Sequence, residues 1–289
     1  MNHLEKTDIK DKKVGLRVDL NVPIENGEIL SHERLSAALP TILHILKQTD
    51  KLCVITHLGR PREGEFDINQ SVLPIKKWFE KRLNMNIELL NNFENIPDNI
   101  CFMENIRFYP EEESNDDVFA KKIASFGDIY INECFSVSHR EHASIVGIPK
   151  YLPSFPGILL EDEISNLKNL ITINNTSSIA VFGGAKISTK LEIIEFYLTK
   201  FEKVIVGGAM ANTFLKAKGI EIGNSLYEKT MLKTASSFIE NYADKILLPE
   251  DVIVSSKGQE YTEAKPTGII DKNDKIFDIG PKTRLKFYN

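Results

Sequence analysis

Short apolar runs alternate with amphipathic stretches along this chain, and this alternation limits the possible folds more than any other feature. The apolar runs cover residues 14–18, 52–56, 100–103, 129–131, 179–182, 204–206, 246–248 and 252–254. Between many of them, apolar residues recur at the three-to-four spacing of a helix, as at Leu35, Leu39 and Ile42. Strands that alternate with helices form βαβ units, whose strands assemble into parallel sheets. The sequence therefore predicts an α/β fold.

The chain is long enough for two such domains. Its 289 residues exceed what one compact core usually needs. Residues 159–171 have helical spacing, and a polar, turn-rich stretch follows them before the next apolar run. We expect two doubly wound parallel-sheet (Rossmann-like) domains, over residues 1–158 and 176–289, joined by a helix and linker over residues 159–175. Within the second domain, the polar residues 258–266 predict an exposed loop.

Composition and charge exclude several classes of protein. The net charge is −5, so a broad basic surface for nucleic acid is not expected. No apolar stretch reaches the length of a membrane span, and residues 1–13 lack the apolar core of a secretory signal. Cys53, Cys101 and Cys134 lie in or beside apolar runs without C-x-x-C spacing, as buried thiols do in a reducing compartment. We expect a cytoplasmic protein that binds neither nucleic acid nor membranes.

Polar and charged residues follow four of the apolar runs. They are Asp19 and Asn21, His57 and Arg60, Arg107, and His139 and Arg140. In open α/β sheets, ligands bind beyond the carboxyl ends of the strands, so these side chains should meet in one crevice. Guanidinium groups match the oxygens of carboxylates and phosphates with forked hydrogen bonds. The pattern predicts a site for a small anion.

Each of these residues also has a plainer interpretation. Arg107 lies close in sequence to three glutamates and could form only a surface ion pair. Asp19 and Asn21 could simply cap a turn. His139 and His142 have no cysteine or carboxylate partners at metal-ligand spacing, so we expect no metal site there.

The second half of the chain has glycine-rich turns of its own. Residues 183–186, Gly-Gly-Ala-Lys, follow one apolar run, and residues 187–201 then have helical spacing. Glycines let the backbone approach a phosphate, and a helix N-terminus offers free N–H groups. Lys186 and Lys190 are four residues apart and should share one face of that helix, either facing phosphate or simply facing solvent. A second glycine pair follows residues 204–206, although neither turn matches a standard nucleotide motif.

Seven segments of the chain, taken in order, resemble the phosphoglycerate kinase family. They are residues 13–23 (K-V-G-L-R-V-D-L-N-V-P), 34–42 (R-L-S-A-A-L-P-T-I), 56–61 (T-H-L-G-R-P), 104–108 (E-N-I-R-F), 139–144 (H-R-E-H-A-S), 183–190 (G-G-A-K-I-S-T-K) and 278–283 (D-I-G-P-K-T). The resemblance spans nearly the whole chain. The segments are long and unlike one another, which excludes chance agreement.

The resemblance implies a reaction and an architecture. The reaction is the reversible transfer of a phosphoryl group between 1,3-bisphosphoglycerate and ADP, which yields 3-phosphoglycerate and ATP. The nucleotide, as ATP or ADP, carries Mg²⁺, and no residue is assigned to the metal. The family resemblance also implies a monomer in which one α/β domain holds phosphoglycerate, the other holds the nucleotide, and hinge bending brings the two together.

The resemblance also assigns roles to single residues. It assigns phosphoglycerate binding to Asp19, Leu20, Asn21, Arg34, His57, Leu58, Gly59, Arg60, Arg107, His139 and Arg140. It assigns nucleotide binding to Gly183, Gly184, Lys190, Gly207 and Gly208. Arg34, Lys186 and Lys190 would act on the phosphoryl group during transfer, as the catalytic residues.

The chain also departs from the family pattern. It ends soon after residues 278–283, and two later segments of the family, N-G-P-x-G-x-F-E and G-G-G-D-[ST], are absent. We therefore expect an incomplete second domain. Ala209 replaces a third glycine that the family tends to have, and Ser136 stands where glycine is usual. These departures leave an alternative open, namely a non-catalytic remnant that binds phosphoglycerate and has lost nucleotide binding.

Overall fold

The structure, a computed structural model, describes residues 3–62, 64–172, 178–256 and 262–288. The chain divides into two compact units, Met1–Lys168 and Asn169–Asn289. This division falls inside residues 159–175, which the sequence assigns to the interdomain helix and linker. The exact domain limits stay a prediction, and most of the turn-rich stretch after that helix lies outside the described residues.

A parallel sheet forms the centre of the first unit. The strands described in this unit are β1 (Val14–Val18), β2 (Ile24–Glu25), β3 (Glu28–Ile29), β4 (Leu52–Ile55), β5 (Glu88–Leu90), β6 (Cys101–Met103), β7 (Ile129–Glu133) and β8 (Ser154–Pro156). Six of the described strands pair in the order β5-β6-β4-β1-β7-β8, and every neighbouring pair is parallel. Strands β2 and β3 form a separate antiparallel hairpin. The predicted α/β class with a parallel sheet is confirmed.

The strand order reverses beside β1, and this reversal fixes where a ligand can bind. Strands β4 and β6 lie on one side of β1, whereas β7 and β8 lie on the other. Arg17 in β1 is opposite Ile55 in β4 and Asn132 in β7, so the three strands end at the same edge of the sheet. A crevice opens at such a switch point, beyond the carboxyl ends of the strands.

Helices cover the sheet of the first unit and bury its apolar side chains. They are α1 (Glu33–Leu46), α2 (Leu73–Leu83), α3 (Pro110–Glu113), α4 (Asp117–Ala124) and α5 (Ile158–Thr172), which continues past the division between the units. The face of α1 predicted from spacing is confirmed, since Leu35, Leu39 and Ile42 are all buried. Each such side chain contributes about 1.5–3 kcal/mol on burial. Apolar clusters lie on both faces of the sheet, as expected for a parallel sheet that is buried on both sides.

The second unit combines a parallel sheet with an antiparallel one. Its described strands are β9 (Ile179–Phe182), β10 (Lys203–Val206), β11 (Ile246–Leu247), β12 (Asp251–Ser256), β13 (Glu263–Pro266) and β14 (Asp274–Ile279), and its helices are α6 (Leu191–Lys200), α7 (Gly208–Ala217), α8 (Leu232–Asn241) and α9 (Pro281–Tyr288). Among them, β11-β10-β9 are parallel, whereas β13-β12-β14 are antiparallel. The antiparallel sheet was not foreseen from the sequence.

The loop predicted over residues 258–266 is wrong for its last part. Glu263–Pro266 form β13, an edge strand paired with β12. The polar sequence of this segment lacks the apolar pattern of a strand. In the structure its charged residues are paired, since Lys265 lies 3.1 Å from Glu263 and 3.0 Å from the buried Asp274. Residues 258–261 lie outside the described part of the chain.

No helix within the described ranges combines the length and the apolar character that crossing a bilayer requires.

The start of α5 is fixed by a buried carboxylate at the end of β7. Glu133 is only 3% exposed, and it accepts hydrogen bonds from the backbone N–H groups of Leu159, at 3.1 Å, and Leu160, at 3.0 Å. The hydroxyl of Thr41 in α1 donates to the same carboxylate and accepts from Ile158 N at 3.0 Å. Burial raises the pKa of Glu133, and these hydrogen bonds oppose the rise. Glu133 therefore joins β7, α1 and the first turn of α5.

Gly157→Ala should break this junction, because a Cβ at position 157 would collide with the Glu133 carboxylate. Displacing Glu133 leaves buried N–H groups without an acceptor, so we expect unfolding of the first unit to become easier by about 2–4 kcal/mol. Urea denaturation followed by fluorescence of Trp78, the one tryptophan in the chain, measures this. Gly127→Ala is the matched control, since its Cβ would meet its neighbours at an ordinary 3.5 Å. Equal stability of the two variants would contradict the role given to Glu133.

Candidate active site

Loops after β1, β4 and β6 meet at one edge of the first unit, and Gly59 joins them. The N–H of Gly59 donates to Asn21 Oδ1 at 2.9 Å, and its carbonyl accepts from Arg107 Nη1 at 2.7 Å. The backbone of Gly59 has φ +61°, and a Cβ there would collide with Gln70. Glycine is therefore required at this turn for both conformation and space. Asn21 and Arg107, two of the residues predicted to meet beyond the strand ends, are thus brought together through Gly59.

Asp19, directly after β1, binds two groups from other elements. Arg34 of α1 places Nη1 2.6 Å from Asp19 Oδ2, and the hydroxyl of Ser136, after β7, donates to the same oxygen. The Arg34 side chain is 49% exposed, so its ion pair contributes only about 0–1 kcal/mol. Arg34 can therefore exchange Asp19 for an incoming anion at small cost. A cavity of about 360 Å³ adjoins this pair and is also lined by Glu133 and Phe135.

His57, in the loop after β4, is buried, and its imidazole is uncharged. Its Nδ1 lies 3.2 Å from Nη2 of Arg17. Burial, together with the positive charges of Arg17, Arg107 and Arg34, lowers the pKa of His57 to about 2. An imidazole with this pKa offers an N–H group without a charge at physiological pH.

Positive charge accumulates around Arg107. Burial lowers the pKa of its guanidinium, Glu113 opposes the shift, and the positive charges of Arg140, Arg17 and Arg60 lower it again. Arg107 Nε lies 3.2 Å from Glu113 Oε1 but is not aligned for a hydrogen bond. Nε of Arg140 is also buried without a partner in the described part of the structure. Unsatisfied guanidinium donors among like charges are suited to hold an anion with several oxygens.

Three of the residues assigned from the resemblance are placed differently from the rest. Leu20 and Leu58 are buried core residues, and their N–H groups donate to Thr56 Oγ1 at 3.1 Å and Asn105 Oδ1 at 3.2 Å. Their side chains are therefore packed inside the unit, whatever their backbone contributes. His139 is exposed and forms no hydrogen bond or ion pair within the described residues.

Arg17 is the member of this site that sequence reasoning missed. It lies inside β1 and is only 1% exposed, whereas the residues predicted from the sequence all follow strands or belong to matching family segments. The signal was present, because a charged residue in an otherwise apolar strand is rarely buried without a partner.

In the second unit, the two glycine turns pack against each other. Gly184 O accepts from Met210 N at 2.9 Å, and Gly207 N donates to Phe182 O at 2.7 Å. Gly184 has φ +128° and Gly208 has φ +62°, and a Cβ on Gly208 would lie 3.1 Å from the backbone of Gly184. Larger residues would therefore force the turns after β9 and β10 apart.

The prediction that Lys186 and Lys190 share one helix face is wrong. Helix α6 begins only at Leu191, and Lys190 has φ −133°, outside the helical region. In the turn before α6, the Glu228 carboxylate accepts hydrogen bonds from Ile187 N at 2.8 Å and Ser188 N at 3.1 Å. Lys190 instead folds back and donates from Nζ to Gly183 O at 2.7 Å. Both lysines are exposed, but only Lys190 is joined to the glycine turn.

A cavity of about 270 Å³ lies beside the second glycine turn, within the second unit. It is lined by Gly208, Ala209, Asn212, Leu226, Pro249 and Phe277, with further residues of β12 and β14. Ala209 lines this cavity, at the position where the third glycine of the pattern is missing.

Comparisons with known proteins agree with the geometry. The family model described as phosphoglycerate kinase matches residues 4–289. Phosphoglycerate kinase of Francisella tularensis subsp. novicida is 38% identical over 293 residues, which cover 98% of this chain and 75% of that protein. The enzyme of Rubrobacter xylanophilus is 37% identical over 287 residues, which cover 96% of this chain and 73% of that protein.

Solved structures give the same result. The structure of phosphoglycerate kinase from Coxiella burnetii matches with a TM-score of 0.84 and 36% identity, over 99% of this chain and 76% of that one. The structure from Pyrococcus horikoshii matches with a TM-score of 0.83 and 27% identity, over 99% of this chain and 77% of that one. The chain therefore belongs to the phosphoglycerate kinase family.

Proposed function

We propose that this chain catalyses reversible phosphoryl transfer between 1,3-bisphosphoglycerate and ADP, with 3-phosphoglycerate and ATP as products. One observation carries the proposal in addition to family membership. Several arginines and a neutral histidine lie together at the switch point of a parallel sheet, close enough for the positive charges to lower the pKa values of Arg107 and His57. A small molecule with both a carboxylate and a phosphate supplies the missing negative charge.

We assign roles to residues of the first unit, with the contacts as support. Arg107, Arg140 and Arg60 hold the phosphate of 3-phosphoglycerate, and His57 adds an uncharged N–H donor. Asp19 and Asn21 accept hydrogen bonds from the hydroxyl end of the substrate. Arg34 leaves Asp19 and binds the substrate carboxylate or the group that is transferred to it. These assignments are supported by the shared edge of β1, β4 and β6 and by the donors left without partners on Arg107 and Arg140.

The chemistry itself demands little of the protein. The nucleophile is a carboxylate, which is ionised at neutral pH, so no general base is needed. Phosphoryl transfer then requires alignment of the reactants and neutralisation of charge on the transferring group. We assign this neutralisation to Arg34, Lys186 and Lys190. Exclusion of water by hinge bending, which the family resemblance implies, protects the acyl phosphate from hydrolysis.

The nucleotide belongs to the second unit in this proposal. The cavity beside Gly207 and Gly208 receives the adenine ring, and Gly183, Gly184 and Lys190 lie toward its phosphates. The described residues contain no cluster of three or more His, Cys, Asp or Glu side chains that would form a protein cage for a metal. Mg²⁺ usually keeps several water ligands and binds substrate phosphates. The nucleotide phosphates would therefore supply oxygen ligands that do not come from the protein, and the bound Mg²⁺ would offset part of their negative charge.

We also propose that the enzyme works as a cytoplasmic monomer. Cys53, Cys101 and Cys134 are all free and buried, which fits a reducing compartment. The monomer is proposed by analogy with the family. Sedimentation of the purified chain tests it.

Calorimetry tests substrate binding. The full chain should bind 3-phosphoglycerate, and Arg34→Gln should weaken that binding by on the order of tenfold to a hundredfold, because a charge-assisted hydrogen bond is worth about 1.5–3 kcal/mol. Arg82→Gln, in an exposed position on α2, changes the charge equally and should leave the affinity unchanged. Equal losses in both variants would show that only net charge matters and would contradict the site.

A second titration, with Mg-ADP, separates the catalytic proposal from the binding-only alternative. The proposal requires that the chain bind both ligands. Binding of 3-phosphoglycerate without any binding of Mg-ADP would favour the non-catalytic remnant.

Lys190→Ala should slow turnover by about 10²–10³-fold, the usual loss when one donor to a transition state is removed. A coupled assay of ADP formation from ATP and 3-phosphoglycerate measures the rate. Affinity for 3-phosphoglycerate should not change. Lys200→Ala, at the exposed end of α6, is the control and should keep its full rate. A Lys190→Ala enzyme as fast as the parent chain would remove Lys190 from the reaction.

A further inference from the structure

A chain of hydrogen bonds runs through the interior of the first unit and ends at His57. It starts at Glu112 in α3, passes through Ser144 and Arg17, and reaches the imidazole in the loop after β4. Ser144 Oγ lies 2.5 Å from Glu112 Oε1, Arg17 Nε lies 2.9 Å from Ser144 Oγ, and Arg17 Nη2 lies 3.2 Å from His57 Nδ1. Glu112 and Ser144 are completely buried, and Arg17 is 1% exposed.

The direction of each hydrogen bond in this chain follows from simple chemistry. An ionised carboxylate only accepts, so the single hydroxyl proton of Ser144 points to Glu112. Ser144 Oγ must then accept from Arg17 Nε. The rest of the arginine is held as well, because Nη1 donates to Val18 O at 2.8 Å. The guanidinium therefore has one orientation, and Nη2 points at His57.

Ser144 is itself fixed from two further sides. Its backbone N–H donates to Glu112 Oε2 at 2.8 Å, and its carbonyl accepts from the hydroxyl of Tyr130 at 2.5 Å. Glu112 also lies 3.8 Å from Nδ1 of the buried His142. A negative charge thus stands one hydroxyl group away from the buried positive charge of Arg17, and it compensates part of the cost of burying that charge.

Arginine has donors and no acceptor, and this decides the state of His57. Since Arg17 Nη2 donates to Nδ1, that nitrogen cannot carry a proton. The proton of the neutral ring must be on Nε2. Nε2 forms no hydrogen bond within the described residues, so its N–H remains available to a ligand. A protonated ring would direct two donors at each other, which agrees with the lowered pKa of His57.

We infer that Glu112 and Ser144 are positioning residues, which hold Arg17 against His57 and so select the tautomer in which His57 presents an Nε2–H donor to an anion. The opposite tautomer would present a lone pair to the same anion and repel it. The identity of the anion as 3-phosphoglycerate rests on the proposed function. The tautomer of His57 does not depend on the proposed function.

Nuclear magnetic resonance tests the inference directly. The full chain, labelled with ¹⁵N in its six histidines, gives two-bond ¹H–¹⁵N correlations that distinguish the tautomers, and His57→Gln identifies the signals of His57. In the parent chain, His57 should be in the Nε2–H form alone. Ser144→Ala should introduce a measurable Nδ1–H population and lower the affinity for 3-phosphoglycerate by about tenfold, since a buried donor of Arg17 loses its acceptor.

Ser71→Ala is the matched control. Ser71 is buried and donates from Oγ to the buried Glu104 at 2.7 Å, as Ser144 does to Glu112, but no arginine among the described residues binds its hydroxyl. This variant should lose similar stability and keep the His57 signals of the parent chain. If Ser144→Ala does not fold, Glu112→Gln serves in its place, because it keeps the shape of the side chain and removes the charge.

Two results would overturn the inference. One is an Nδ1–H signal for His57 in the parent chain. The other is a pure Nε2–H signal, as in the parent, in Ser144→Ala, or in Glu112→Gln where that variant serves in its place. A parent chain that binds no 3-phosphoglycerate would defeat the proposed function instead, while the tautomer signals would still decide the positioning role.

Discussion

The parallel pairing of β1 with β4 and β7 is the constraint on which the rest of the first unit depends. The register places Arg17 opposite Ile55 and Asn132, so the loops that follow all leave from one edge. Asp19 and Asn21 follow β1, His57 and Gly59 follow β4, and Arg140 lies in the loop after β7. A shift of one residue in β1 would turn Arg17 to the other face of the sheet and remove the support of His57.

Bringing several cations together costs free energy, and the structure shows how this cost is limited. Asp19 faces Arg34, Glu113 lies beside Arg107, and Glu112 reaches Arg17 through Ser144. His57 adds no charge to the group because its pKa is lowered to about 2. The remaining excess of positive charge is what an anionic ligand would neutralise.

The sequence predicts much of the fold where local pattern and tertiary structure agree. The limits of β1 and β9 coincide with their apolar runs, and α1 buries the side chains that its spacing indicates. The sequence prediction fails where contacts between distant residues determine the local structure. Glu228 accepts a hydrogen bond from the turn before α6, which begins later than predicted, and Lys265 of the polar strand β13 pairs with Asp274. Within the site, loop residues could be found from sequence because they follow strands, whereas Arg17 depends on partners 40 and 127 positions away. The roles of these residues in binding and catalysis stay proposals.

Gly59 has a consequence for how the site would respond to a ligand. Its N–H and its carbonyl are engaged by Asn21 and Arg107, which belong to different loops. A displacement of the Arg107 guanidinium would therefore be transmitted through the backbone of Gly59 to the side-chain amide of Asn21. Losses of affinity on altering the two side chains would then not be additive, and a double-mutant cycle would report their thermodynamic coupling through a residue that has no side chain.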